Sequence, residues 1–526
     1  MKIIIPISKA LFFGMLLNFC ACTEALKEKP DSEKLSSFFS SADRLQLGVN
    51  AIYDELTNGS LGEFPHFYNR FVFECITGLQ IGWEKGPLRY NQGNISSADE
   101  YIDPYWTQCY RSINRANLMI EVSKTLNEPD KAALIKRLVA EAQFLRAFYY
   151  LELVKYFDHV PLKTAATKTY DEHASNAGGK AKVLEQIYAD CNASFDVLPS
   201  DYTGSDVGRA TKWAAKTLLM KAQLWGEKWA EAKITADYIM ANSGIRLFDD
   251  FSDNFDINKE NMGERIFEGQ VNGVANSNEY TGHSGHFNPE DYPSELNGSG
   301  WSWLSATKEF RMSYAANDKR IAATFIESYR TGRVEKPDDE QYPIVHWSAD
   351  ADYNVSRFGG LVNEKADRKD PAQMIFGKAW CGKLTELGTP VWSATQKNII
   401  YMRYADVLLG HSEACNESGT DDPYYGINEV RRRAGLSQLE GLTKATLRDA
   451  IVEERIHEFF WEQELYPELR RKSKFNGTPD YLGDQIKTYA RISGNARAPK
   501  AKDYVLPIPL RELQGNPKVT QNDVWK

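Results

Sequence analysis

The stretch RLVAEAQFLRAFYYLELVKYFDHVPL, residues 137–162, decides how the rest of the chain is read. Starting at Leu134, apolar side chains recur at Leu138, Ala142, Leu145, Tyr149, Leu153 and Phe157, in steps of three or four. That spacing buries one face of a long helix. A stripe of this length needs a partner on each side. The helix stops at Val160-Pro161, because proline cannot continue it and pushes the residue before it toward extended backbone.

The partners are found on both sides in sequence. Upstream, residues 38–57 carry Leu45, Val49, Ile52 and Leu56 on one helical face, and YWTQCYRSINRANLMIEVSKTL (105–126) forms a second helix. Downstream come VLEQIYADCNASFDVLP (183–199) and a helix, turn and helix over 209–242. In that last unit Ala214, Ala215, Ala222, Ala232 and Ala236 are small residues at helical spacing beside Trp225 and Trp229, which lets two axes approach closely. The alternation resembles a tetratricopeptide unit, although no strict 34-residue period runs along the chain. Helices return from Ile399 through YMRYADVLLGHSEACNESG, YYGINEVRRRAG and TKATLRDAIVEERIHEFFWEQEL. The fold class is mainly α: a helical-pair scaffold over about 38–242 and 399–526, forming one domain with a loop-rich insertion over about 243–398.

Two tracts break the helical pattern. Residues 58–103 are rich in Gly and Pro and read as a long irregular segment. In the insertion, GERIFEG reads as a strand and only 304–326 reads as a helix. Both tracts hold aromatics, and the whole chain has 12 Trp and 27 Tyr at only 42% hydrophobic content, so some of these rings are expected at the surface.

The amino terminus reads as an export signal, with Lys2 and Lys9 ahead of an apolar block ending near Leu17 and small residues around Cys20 and Cys22. Cys22, preceded by Ala21, resembles the acceptor of a bacterial lipoprotein signal. The expected division is a signal at 1–21, a polar tether at 22–37 and the single domain at 38–526. The net charge of -9 argues against a nucleic-acid or anionic-membrane surface. The remaining cysteines show no CxxC or Cys/His cluster. His283 and His286 in GHSGH lack a third ligand nearby, and DDFSDNFDINKEN (249–261) departs from the EF-hand template, so both read as surface turns. No nucleophile-elbow or phosphate-loop motif is present.

Taken together and in this order, YRSINRANLMIE, EAQFLRAFYYLELVKYFDHVPL, GRATKWAAKTLLMKAQLW, GERIFEG, TKEF with YAANDKR, YMRYADVLLGHSEACNESG with INEVRRRAGL, and the closing LPIP and TQN resemble the SusD/RagB family of outer-membrane lipoproteins from Bacteroidetes-type bacteria. There are departures. A Gly-Asp-Val-Pro exit in the family stands here as Asp158-His159-Val160-Pro161, where Asp tolerates a left-handed terminus. A Glu-Gly-x-Arg pattern reads Glu462-Gln463-Glu464-Leu465, followed by Glu468-Leu469-Arg470-Arg471, which puts a local ion-pair arrangement in doubt; Pro467 is expected to start a fresh helix. Arg146 reads as an internal structural partner of a carboxylate such as Glu141 or Glu152, or of carbonyl groups.

The resemblance implies a non-catalytic nutrient receptor. It would bind a glycan, or in some members a peptide, and deliver it to a SusC-like TonB-dependent transporter. It would need no cofactor, although a structural cation such as calcium occurs in some members. Family ligand contacts come largely from the same two loop tracts. Flat rings cover the apolar faces of sugars while amides and carboxylates meet the hydroxyls. The candidates are Trp83, Tyr90 and Asn91 in the first tract, and Tyr280, Trp301, Trp303, Trp347, Asp350, Tyr353, Trp380 and Trp392 in the second. A secreted glycosidase with paired carboxylates and a protein-docking scaffold are the rival readings.

Overall fold

A computed structural model describes residues 38–57, 66–82, 85–169, 171–271, 287, 289, 303–330, 344–349, 375–376, 379–384, 395–420, 422–492 and 495–526. The export signal, Cys22 and the tether lie outside the described residues, as do His283 and His286.

The first half is helical: α1 (Ala42–Asp54), α2 (His66–Glu74), α3 (Lys85–Asn91), α4 (Ile102–Ser123), α5 (Ala132–Phe157), α6 (Gly179–Phe195), α7 (Lys212–Trp225) and α8 (Trp229–Asn242). Polar caps define several starts. Ser41 accepts from the Arg44 amide and Thr211 from the Ala214 amide, each satisfying a backbone donor that the helix leaves open. Consecutive helices pack together: α4 on α5, α5 on α6, α6 on α7, and α7 on α8.

The central helix is α5. From Ala140 to Phe157 every residue except Gln143 is buried, so the enclosure is wider than the one-sided stripe read from the sequence. Four of the enclosed side chains are charged, and each has a partner. Arg146 is the correction to the sequence reading: it grips Asp190 of α6 through Nε at 2.8 Å and Nη2 at 2.7 Å, and donates through Nη1 to Asn117 at 2.7 Å. Its expected partners are engaged elsewhere, Glu141 with Arg209 and Glu152 with Lys155. A bidentate guanidinium fork needs a planar carboxylate opposite it, and α6 supplies one that helical spacing within α5 does not.

The helix ends at Phe157, ahead of Val160-Pro161 as expected, but not through a left-handed helical residue: Asp158 takes φ 63° with ψ -74°, and the His159 amide bonds back to the Phe157 carbonyl at 2.8 Å, a γ-turn. The Asp158 carboxylate pairs with Arg470 Nη2 at 3.0 Å.

The strands are all short: β1 (Gln80–Gly82) in the first half, then β2 (Arg265–Gly269), β3 (Leu304–Ala306), β4 (Ser328–Arg330), β5 (Ile344–Trp347), β6 (Ile375–Phe376) and β7 (Ile399–Arg403), with the turns α9 (Lys308–Arg311) and α10 (Ile321–Thr324) among them. The expected strand at GERIFEG is β2, which pairs antiparallel with β7 and ties the two ends of the insertion together. The single helix expected over 304–326 is not formed. Its start pairs with β1, Thr307 caps only one helical turn through the Phe310 amide, and Asp318 holds the chain in a turn by bonding Arg320. Residues 58–103, expected to be irregular, contain α2, β1 and α3; tertiary packing stabilises helices too short to announce themselves by period.

Beyond the insertion come α11 (Tyr404–Ser418), α12 (Tyr425–Arg433), α13 (Lys444–Phe459), α14 (Leu465–Lys472) and α15 (Tyr481–Tyr489). Helix α8 packs on α11, so the stack continues across the inserted segment. Pro467 does sit in the first turn of a new helix, α14, and Gln463, in the place of the family's glycine, takes φ 58°. The carboxylates of this stretch are paired, with cations drawn from elsewhere in the chain and from α14. Glu464 meets Arg70 at 2.5 Å and Lys155 at 2.7 Å, Glu462 meets Lys383 at 2.6 Å, and Glu468 meets Arg471 at 2.8 Å.

One buried carboxyl has no such cationic clamp of its own. Glu74 accepts the Tyr466 amide at 3.0 and 3.1 Å, and burial pushes its pKa up to about 8. Because the folded pKa lies above the unfolded one, the protonated form favours folding, and this contribution is lost as pH rises from about 4.5 through 8. Glu74→Gln removes the ionisation. Urea melts should show the variant gaining about 2–4 kcal/mol on the wild type between pH 5 and pH 9, by one pKa unit being about 1.4 kcal/mol. An identical difference at both pH values contradicts this.

Candidate functional site

The two aromatic tracts, far apart in sequence, leave the described scaffold side by side. Gly82, at the end of β1, pairs with Leu304, at the start of β3. Trp83 follows the first in the chain and Trp303 precedes the second. The pairing continues beyond them. The Ala306 amide bonds to the Ala379 carbonyl at 2.8 Å, the Ile326 amide to the Trp380 carbonyl at 3.1 Å, and the Trp347 amide to the Glu327 carbonyl at 2.9 Å. From there β4 pairs with β5 and β5 with β6. Paired backbone therefore links β1 and β3 to the segment that carries Trp347.

Three expected ligand residues do not fit a surface role as placed. Tyr90 is fully buried and donates to Asp99 Oδ1 at 2.6 Å. Asn91 is buried, donating to the Cys75 and Gln80 carbonyls at 2.6 and 2.8 Å and accepting the Gly82 amide at 2.8 Å. It pins β1, the strand that Trp83 follows in the chain. Trp380 is 0% exposed. A polar residue beside a ring in a Gly-rich tract has the same composition whether it faces a ligand or locks a buried corner, which is why sequence did not separate them.

Trp303 is half-buried against the core. Trp347 is half-buried at the end of β5. Arg311 lies over its ring at 3.9 Å and over buried Phe325 at 5.6 Å. Glu327 fixes that guanidinium, accepting from Nη2 at 2.8 Å on both oxygens and from Nε at 3.3 Å. Core ring, cation and half-buried indole thus form a platform, each cation–ring contact being worth about 0.5–2 kcal/mol. Arg311 and Glu327 were not identified from sequence. Their role depends on a strand pairing that no local pattern encodes. Trp83, Tyr280, Trp301, Asp350, Tyr353 and Trp392 lie outside the described residues.

Grooves elsewhere also carry rings. One of about 640 Å³ is lined by buried Trp213 with half-buried Tyr202 and Phe248, and another of about 530 Å³ by buried Trp106 with half-buried Tyr110. Among the described residues no group of three or more His, Cys, Asp or Glu side chains is placed to hold a metal ion, and no helix is long and apolar enough to cross a membrane.

Comparison with known proteins agrees with this architecture. Residues 263–525 match the model of the SusD family, and residues 24–224 match a model described as starch-binding associating with outer membrane. A SusD-like protein of Formosa agariphila is 24% identical over 98% of this chain and 99% of its own. The starch-binding protein SusD of Bacteroides thetaiotaomicron is 24% identical over 74% of this chain and 72% of its own. Surface glycan-binding protein A from Bacteroides thetaiotaomicron, solved in complex with laminarihexaose, shares the fold at a TM-score of 0.70 and 19% identity, covering 91% of this chain and 99% of that one. With half of its length matched by the one family model and most of the rest by a related one, the chain belongs to the SusD family.

Proposed function

We propose that this protein is a non-catalytic glycan receptor of the bacterial surface. Lipid on Cys22 tethers it to the outer membrane, the aromatic tracts capture oligo- or polysaccharide, and the ligand passes intact to a SusC-like TonB-dependent transporter. The observation that carries the reading is the β1–β3 pairing, which brings the departure points of both tracts together, linked by paired backbone to the segment that carries the Trp347 platform. Starch binding by one relative and a bound laminarihexaose in a structural neighbour support it. The reading needs no cofactor.

The test is a glycan array probed with the soluble form lacking its first 22 residues, followed by recovery of the bound sugar. Retention of one glycan class, recovered uncut, is the expected result. Binding of peptides alone, or cleavage that disappears when one Asp or Glu is replaced, contradicts it. The anchor is tested separately. A single lipid signal makes the difference between a tethered and a soluble body. In cells lacking the transporter, Cys22→Ala should move nearly all of the protein from the membrane to the soluble fraction; a variant that stays in the membrane fraction rules out lipid on Cys22.

A further inference from the structure

We infer that a narrow cleft at the base of the insertion is a built site for about two ordered water molecules, which join the insertion to the turn between α13 and α14. Asn254, Arg265 and Lys383 line it from the insertion, and Trp461, Glu462 and Gln463 from the turn. The space open to the centres of water molecules is about 30 Å³. One water needs roughly 10–15 Å³ of such space, so two fit.

Four of these side chains, Asn254, Arg265, Trp461 and Gln463, are more than nine-tenths buried. Each keeps one polar atom that has no hydrogen-bond partner among the described residues: Asn254 Oδ1, Arg265 Nε, Trp461 Nε1 and Gln463 Oε1. The other ends of three of these groups are engaged. Asn254 Nδ2 donates to the Phe251 carbonyl at 3.3 Å, Gln463 Nε2 to the Trp461 carbonyl at 3.5 Å, and Arg265 Nη2 to the Asn254 carbonyl at 2.7 Å. A buried polar atom left without a partner carries a desolvation cost, and water in the cleft removes that cost at four places.

The set is balanced, with two N–H donors and two amide oxygens. An anion would face both oxygens, and a cation would face the indole and guanidinium N–H groups. The charged side chains along the cleft have partners already. Lys383 pairs with Glu462 at 2.6 Å and Arg265 with Glu268 at 3.5 Å; Lys397 donates to the Lys383 carbonyl at 3.0 Å, and Glu260 accepts the Asn398 amide at 2.6 Å. A neutral molecule that both donates and accepts is the better match. Two waters bonded to each other and sharing the four groups make about three hydrogen bonds each, the usual number for buried water.

The experiment is a high-resolution crystal structure of the soluble form, with parallel crystals pressurised with xenon or soaked in rubidium bromide. Two water peaks within hydrogen-bond distance of the four atoms are expected, with no anomalous signal from xenon, rubidium or bromide. Trp461→Phe keeps a ring and removes one donor; it should lower the occupancy of the water beside it at least twofold, with an unchanged melting temperature. Xenon in the cleft marks it as dry and apolar and overturns the inference. Rubidium or bromide bound there assigns the site to an ion and overturns it, as does a closed cleft in which the four atoms pair with one another. Water occupancy that does not move in Trp461→Phe overturns the bond given to the indole. The wild-type crystals decide the main point whether or not the variant folds, and none of these outcomes bears on the glycan reading.

Discussion

Glu458→Gln should cost about 3–5 kcal/mol of folding stability, measured by denaturant melts at pH 7. The residue lies on α13 and is completely buried, with three arginines around its carboxylate. Arg403 Nη1 approaches to 2.5 Å, Arg320 Nη1 lies at 3.0 Å, and Arg433 also donates to it. These arginines come from β7, from the turn before α10 and from α12, so one side chain joins three separate segments. Replacing carboxylate by amide keeps the volume but strands three buried cations on their remaining partners, and a buried charge without compensation is among the most destabilising changes available. An exposed pair serves as the control. Glu429→Gln, which loses the surface contact to Arg432 at 2.8 Å, should change stability by less than about 1 kcal/mol.

The same network fixes the direction of acid sensitivity. Burial alone would raise the Glu458 carboxyl, but Arg433, Arg403 and Arg320 outweigh it and hold the group far below the usual carboxylate range. Burial likewise opposes ionisation of Glu413, and Arg471 with Lys472 pulls it down to about 2. For groups whose folded pKa is depressed, the stabilisation is present above the unfolded value and lost as pH falls through the folded one. Wild type should therefore lose stability steeply between about pH 4.5 and pH 2, and Glu458→Gln should show a shallower slope over that window. Equal slopes would falsify the assignment of this carboxylate to the acid limb.

Trp347→Ala should weaken glycan binding by about 2 kcal/mol, roughly thirtyfold, without unfolding the protein. The indole is half-buried, and the layer beneath it, Arg311 on Phe325, is held by Glu327 whether or not the ring is present. Removing the indole takes away its flat apolar surface and leaves its support standing. Stability should fall by no more than about 1–2 kcal/mol, the contribution of the cation–ring contact and some partly buried area. Trp380 behaves in the opposite way: it is 0% exposed, so truncation there should act on folding, by about 3–5 kcal/mol, and only indirectly on ligand.

The contrast between these two tryptophans shows what sequence could supply. The helical scaffold was legible because α5 repeats its apolar positions with a helical period over many turns, and its neighbours do the same. Partners across the fold were not. Arg146 could be read as internal, but naming Asp190 on α6 requires knowing how two helices are rotated against each other. The short strands were legible only where a run such as RIFEG is apolar on both faces and buried. β1 and β3, three residues each, lie below the length at which a two-residue period can be recognised. Within the loop tracts, composition does not separate a buried side chain from a surface one. Tyr90 and Asn91 share with Trp347 the tendency of ring and amide residues to occupy irregular backbone, and only the burial of the first two separates scaffold from platform.

The central claim is that two distant tracts meet on one ligand, and a double-mutant cycle tests it most directly. Using the oligosaccharide selected by the array, affinities are measured for wild type, Trp83→Ala, Trp347→Ala and the double variant. The account predicts that each single change weakens binding of the same sugar by tenfold or more, with all four proteins equally folded. Wild type that binds the sugar while neither change alters its affinity would contradict it.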